Sequence, residues 1–159
     1  MVLFIKITLI ITLFAIVYQD IAERQVYWFL FPLTALCFGI LHYKEVQVEL
    51  LYASTIINLV VVLTVLISIY IYIKIKLRTT FNKAFGVGDV LFFLAITFSF
   101  SSISFIVLFI GALIFSLLLH LFISHKSNIS VPLAGYMSLF FGFICISYWS
   151  GLFPDLYHI

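Results

Sequence analysis

Charge is what this sequence has least of. Only 9% of the 159 residues are Asp, Glu, Lys or Arg, while 65% are hydrophobic, and the mean hydropathy is +1.32. That lies far above the range of a soluble domain folded around one buried core. The net charge of +2 is scattered along the chain, with no basic patch for a nucleic acid. Cysteine is nearly as scarce. Cys37 and Cys145 lie far apart inside apolar stretches and there is no CxxC pair, which excludes a cysteine zinc site and argues against a disulfide framework. His42, His120, His125 and His158 form neither an i, i+4 pair nor an HExxH pattern, so no metal or other cofactor is expected. Three prolines and seven glycines leave no flexible linker, and residues 1–159 read as one domain.

Long apolar runs take the place of charge. Polar backbone in lipid must be satisfied internally and a spanning helix needs about 20 apolar residues, so the runs predict an all-α, polytopic membrane protein. The first run, Val2 to Tyr18, is interrupted by Lys6, close enough to the end to snorkel. It reads as helix rather than signal peptide because "FAIVYQDIA" offers bulky residues where a signal peptidase needs small ones. The polar patch "QDIAERQ" separates it from a second helix over Val26 to Leu41, whose Tyr27 and Trp28 suit the headgroup boundary. A third helix is expected from about Leu50 to Ile73. The 36 residues from Val90 to His125 contain no Lys, Arg, Asp or Glu. As one helix they would measure about 54 Å, against a hydrocarbon core of about 30 Å. The run must fold back, and Ser99, Ser101, Ser102 and Ser104 mark the turn. Helix 4 then runs from Asp89 to about Phe98, helix 5 from about Ile103 to Ile123, and helix 6 from near Val131 and Pro132 to Trp149, six in all.

Six helices put Arg24, Lys74, Lys76, Arg78, Lys83 and Lys126 on one side, six of the eight basic residues, and Lys6 and Lys44 on the other. By the positive-inside rule the first side faces the cytoplasm of a cell inner (plasma) membrane. Asn58, in the middle of helix 3, is a candidate for a hydrogen bond between helices. The 19 phenylalanines read as lipid-facing and packing surface.

Of three aspartates, Asp155 falls in the tail, whereas Asp20 ends helix 1 and Asp89 opens helix 4, both at the expected cytoplasmic boundary. A carboxylate near lipid calls for an explanation. For Asp89 the plain one is a helix N-cap at the positive end of the helix dipole. For Asp20 it is an i to i+4 pair with Arg24, or solvation in the loop. The chemical one joins them: two carboxylates sharing one proton can activate a water, the ionised one taking its proton while the protonated one donates to a carbonyl oxygen. Such a pair titrates as a unit. Gly86 and Gly88 would let backbone approach an extended substrate and permit unusual φ/ψ, or form a plain turn.

"GVGD" at Gly86 to Asp89, opening a membrane helix after a basic loop, resembles the GxGD motif of the type IV prepilin peptidases and their archaeal preflagellin relatives. "YQDIAERQVYW" is similar to that family's first aspartate element, and "VPLAGYMSLFFG", with Pro132, to the proline-containing entry into its last helix. The likeness runs through the whole chain in order. It implies a membrane aspartic endopeptidase with Asp20 and Asp89 as catalytic residues and Gly86, Gly88 and Pro132 as motif support. The substrate implied is a prepilin-like membrane protein whose short basic leader is removed at the cytoplasmic face of the bilayer. Many members carry an Ile-Pro-Asn-like sequence after the first aspartate, where this chain reads "RQVYW". Larger members add a domain with paired CxxC motifs that methylates the new N-terminus. This chain has neither the cysteines nor the length, which implies peptidase without N-terminal methyltransferase. Lys74, Lys76, Arg78 and Lys83 are read as topology determinants, since they would repel a basic leader, and Glu23 as a solvated loop residue. Two other functions fit the residues: a small transporter in which the aspartates bind a cation or relay protons, and a catalytically silent assembly factor.

Overall fold

The computed structural model describes residues 1–77, 85–123, 131–152 and 156–157. Arg78, Lys83, His125, Lys126, Asp155 and His158 lie outside them. Among the described residues there are six α-helices and no strand: α1 (Val2–Ala22), α2 (Leu30–Glu45), α3 (Val48–Tyr72), α4 (Val87–Ile96), α5 (Ser102–Ile123) and α6 (Leu133–Trp149). Three are long and apolar enough to cross a membrane: α1, α5, and α3 with its π-helical extension from Ile73 to Leu77. The chain is an all-α membrane protein. Its helices keep exposed Leu, Ile, Val and Phe on their outer faces, where lipid rather than water is the solvent.

The boundaries differ from expectation at the polar patches. α1 continues to Ala22, so Asp20 sits on helix rather than at a loop margin, and α2 begins only at Leu30 and ends at Glu45. The connection between them is held by Gln19, whose Oε1 accepts the Tyr27 amide at 3.0 Å. α4 starts at Val87, with Gly86 as N-cap, so Asp89 is the third helical residue and not the cap.

α1 buries Ile5, Leu9, Thr12, Leu13 and Ile16, one helical stripe, and packs most extensively against α6. In lipid the attraction between helices comes from close packing, so small residues at a seam matter. α6 buries Ala134, Gly135, Ser138, Gly142 and Cys145. Two contacts set the antiparallel register of this pair. Gly135 lies against Asp20 at one end, and the Lys6 ammonium lies 5.0 Å from the centre of the Trp149 ring at the other. The contacts are 14 residues apart on both helices. Between the helices, phenylalanines do the filling. Phe141 is ringed by Phe38, Phe92 and Phe100 at 6.2, 6.3 and 6.5 Å between centroids.

The serine-rich turn falls at residues 97–101. Ten residues of α4 rise only about 15 Å, half a hydrocarbon core. Non-helical backbone at that depth is tolerated only when buried in protein with its polar groups satisfied. Asn58 meets this requirement: its Nδ2 donates to the carbonyls of Thr97 and Phe100, both at 3.0 Å. His42 Nδ1 donates to the Phe98 carbonyl at 3.3 Å, which fixes its tautomer. The tail packs here too, with Ser101 Oγ donating to the Leu156 carbonyl at 3.2 Å and the Tyr157 ring packed on His42 and Phe100, beside a pocket of about 320 Å³. Asn58 therefore bonds to a turn, not to a neighbouring helix. Replacing it by leucine orphans two buried carbonyls and is expected to cost about 1–3 kcal/mol in reversible unfolding from mixed micelles. Ser54→Ala, which removes hydroxyl bonds only to the helix's own Leu50 and Leu51 carbonyls, should stay within about 0.5 kcal/mol of wild type.

Candidate active site

The first turn of any helix leaves backbone N–H groups without intrahelical partners, and α6 shows where two of its own go. Pro132 is the buried N-cap residue. The Leu133 amide turns back to the Val131 carbonyl at 2.9 Å, and the Tyr136 amide makes the first regular bond, to Pro132, at 3.0 Å. The two amides between them are the free pair. Ala134 N–H donates to Asp89 Oδ1 at 2.8 Å, and Gly135 N–H donates to Asp20 Oδ2 at 2.6 Å. Two aspartates 69 positions apart are thus seated on consecutive amides of one helix terminus, with the positive end of its dipole beneath both. The short distances are those of charge-assisted bonds.

Each carboxylate reaches its seat from a different element. Asp20 projects from the last turn of α1 and Asp89 from the first turn of α4. The Asp20 approach needs a glycine on α6: a Cβ at Gly135 would lie 3.1 Å from both Cβ and Oδ2 of Asp20. Gly86 has the matching role for Asp89, since a Cβ there would sit 3.0 Å from Asp89 Oδ2, and its amide also lies against that carboxylate. A first-turn acid reaching back to the N-cap amide is half of a capping box. The plain cap reading of Asp89 is therefore met in altered form, at the third helical position, by a side chain that also bonds to α6.

The glycines of "GVGD" do not work through unusual dihedrals. Gly86 is extended, at φ −72° and ψ 137°, and its contribution is clearance. A Cβ at Gly88 would make an ordinary 3.6 Å contact with the Phe31 ring. Arg24 is the residue with left-handed backbone, at φ 57°. It follows the C-cap Glu23, in the position usually held by glycine, at a cost of about 1 kcal/mol or more. The helical i to i+4 geometry expected for Asp20 and Arg24 is thus broken by the end of α1. The guanidinium instead acts electrostatically on both aspartates, and Asp89 also senses the charge of Asp20.

The sequence pattern singled out Asp20, Asp89, Gly86 and Pro132, and all four are at the site. It missed Ala134 and Gly135, which act through backbone. The fragment "PLAG", a proline followed within one turn by two small residues, was the available signal. Among the described residues no cluster of His, Cys, Asp and Glu is arranged to hold a metal ion. A comparison with protein-family models, curated proteins and solved structures finds no match to this chain.

If the shared helix terminus sets the separation of the carboxylates, crowding Gly135 must disturb it. With Asp20→Cys and Asp89→Cys combined, a short thiol-bridging reagent is expected to join the two positions, read by intact mass and peptide mapping. Gly135→Val should abolish that bridge. Gly142→Val on the same helix, where a Cβ meets nothing within 4 Å, should leave it intact.

Proposed function

We propose that this chain is a multi-pass membrane aspartic endopeptidase that removes the short basic leader of type IV prepilin-like precursors at the cytoplasmic face of the membrane. The observation that carries the reading is the seating of Asp20 and Asp89 on the consecutive amides of Ala134 and Gly135. Each carboxylate keeps one oxygen off those two amides, that of Asp89 lying against Gly86, and in this reading the pair holds a water between them. The orientation is supported by the cations Arg24, Lys74 and Lys76, which belong to the ends of α1 and α3 nearest the dyad, whereas Lys6 and Lys44 belong to the opposite end.

The chemistry follows from one shared proton. The ionised carboxylate takes a proton from the water, whose oxygen attacks the scissile carbonyl carbon, while the protonated carboxyl gives its proton to the carbonyl oxygen. The resulting gem-diol collapses as the C–N bond breaks. The carboxyl that gained the water's proton delivers it to the leaving amine, and the gem-diol returns one proton to its partner. The dyad then again holds one proton. The amides of Ala134 and Gly135 hold both carboxylates in place throughout, so little reorganisation is needed during the reaction. A substrate must present its bond in extended form at the membrane boundary, just ahead of an apolar helix.

The test is a synthetic precursor with a basic leader, a glycine and a 20-residue apolar helix, co-reconstituted with the protein. Cleavage by wild type is expected, with Asp20→Asn and Asp89→Asn each lowering it by a factor of about 10² to 10⁴. Processing retained in either variant, or movement of cations without cleavage, would sink the dyad reading. A second check is pH: because activity needs one ionised and one protonated carboxyl, kcat/KM should be bell-shaped, with both limbs belonging to the pair. A profile with a single limb would contradict it.

A further inference from the structure

A groove runs along the lipid-facing seam between α2 and α4. Its wider part, about 470 Å³, is lined on α2 by Ala35, Leu36, Gly39 and Ile40, one face of the helix, and ends near Tyr43. Its narrower part, about 200 Å³, is bounded by Phe31 and by Leu91, Leu94 and Ala95 of α4. Pro32, Ala35 and Phe98 line both parts, so the two adjoin. From Phe31 to Tyr43 it spans about 18 Å, more than three helical turns. Its walls carry almost no polar group.

We infer that this groove receives the apolar helix of the precursor, a proposal that rests on the peptidase reading and assigns its substrate-binding surface. Three features point to a helix there. First, the groove leads to the catalytic pair: the Phe31 ring is the neighbour a Cβ on Gly88 would meet, one residue before Asp89, and Leu91 follows two residues after it. A bond cut by the dyad has its following residues at the mouth of the groove. Second, a polypeptide at this depth must satisfy its own backbone, which makes it a helix. Third, Gly39 is not required by internal packing. A Cβ there would meet Phe98 Cβ at an ordinary 3.8 Å, so its bareness leaves room for an outside partner. Ala35 and Gly39, four residues apart, form the small-residue seam across which membrane helices approach closely. α2 and α4 both start at the dyad end, so the incoming helix, with its cleaved bond at its own N-terminus, runs parallel to both.

The experiment traps the uncleaved synthetic precursor on the inactive Asp89→Asn protein in proteoliposomes. Photoreactive benzoylphenylalanine is placed singly at Leu36 and Ile40 in the groove, and at the exposed Ile7 and Ile114 on other faces. Adducts to the precursor are expected from Leu36 and Ile40 and not from Ile7 or Ile114. In the otherwise wild-type protein, Gly39→Leu fills the groove away from the carboxylates and should lower kcat/KM about tenfold through KM, with kcat and micellar stability little changed. Adducts from Ile7 or Ile114 instead, or from Leu36 and Ile40 only to lipid or to a second copy of this chain, would overturn the groove while wild-type cleavage leaves the peptidase reading standing. Absence of wild-type cleavage would overturn both.

Discussion

Two neighbouring backbone amides at the start of α6 set the geometry on which the site depends. Consecutive N–H groups on a helix terminus point the same way and lie close together, so two acceptors bound to them are brought side by side without a side chain between them. The consequences reach outward. Pro132 must cap the helix there, Gly135 must lack a Cβ, and α1 must pack on α6 in the register that brings Asp20 to Gly135 and Lys6 to Trp149. α4 must begin early enough for its third residue to reach Ala134. Like charges held close repel, and the helix dipole together with the Arg24 guanidinium offsets that repulsion.

The opposite end obeys a different constraint. A helix of 10 residues leaves backbone unpaired inside the apolar zone, and the structure answers with Asn58, His42, Ser101 and the segment carrying Tyr157. That end is cross-bonded around a pocket of about 320 Å³ lined by His42, Ser101 and Tyr157. The end carrying Asp20 and Asp89 keeps these carboxylates partly exposed beside a lipid-facing groove. A short α4 thus runs from the aspartates to the cross-bonded turn.

Much of this was legible in the residues because charge is so rare in the chain. Asp20 and Asp89 stand out against apolar sequence, and the "GVGD" and "VPLAG" fragments mark the two helix starts that meet them. A run too long for the bilayer has to fold back, and the serines placed the turn, although Ser102 and Ser104 fall on α5. Ala134 and Gly135 were not, because a backbone amide has no side-chain signature and every residue but proline carries one. Gln19 escaped notice for a related reason: a polar residue in a polar patch gives no hint that it anchors the loop after it.

Composition and pattern by themselves determined that this is an all-α membrane protein of about six helices, with its polar residues gathered at helix ends. Transfer of charge and bare backbone into lipid is so unfavourable that few arrangements survive. Which ends meet was decided only by tertiary structure. Asp20 and Asp89 are 69 positions apart, and their meeting depends on the register of α1 against α6, set by small residues and ring packing that no local pattern encodes. The groove along α2 and α4 has the same origin, because a surface between two helices exists only once they have packed.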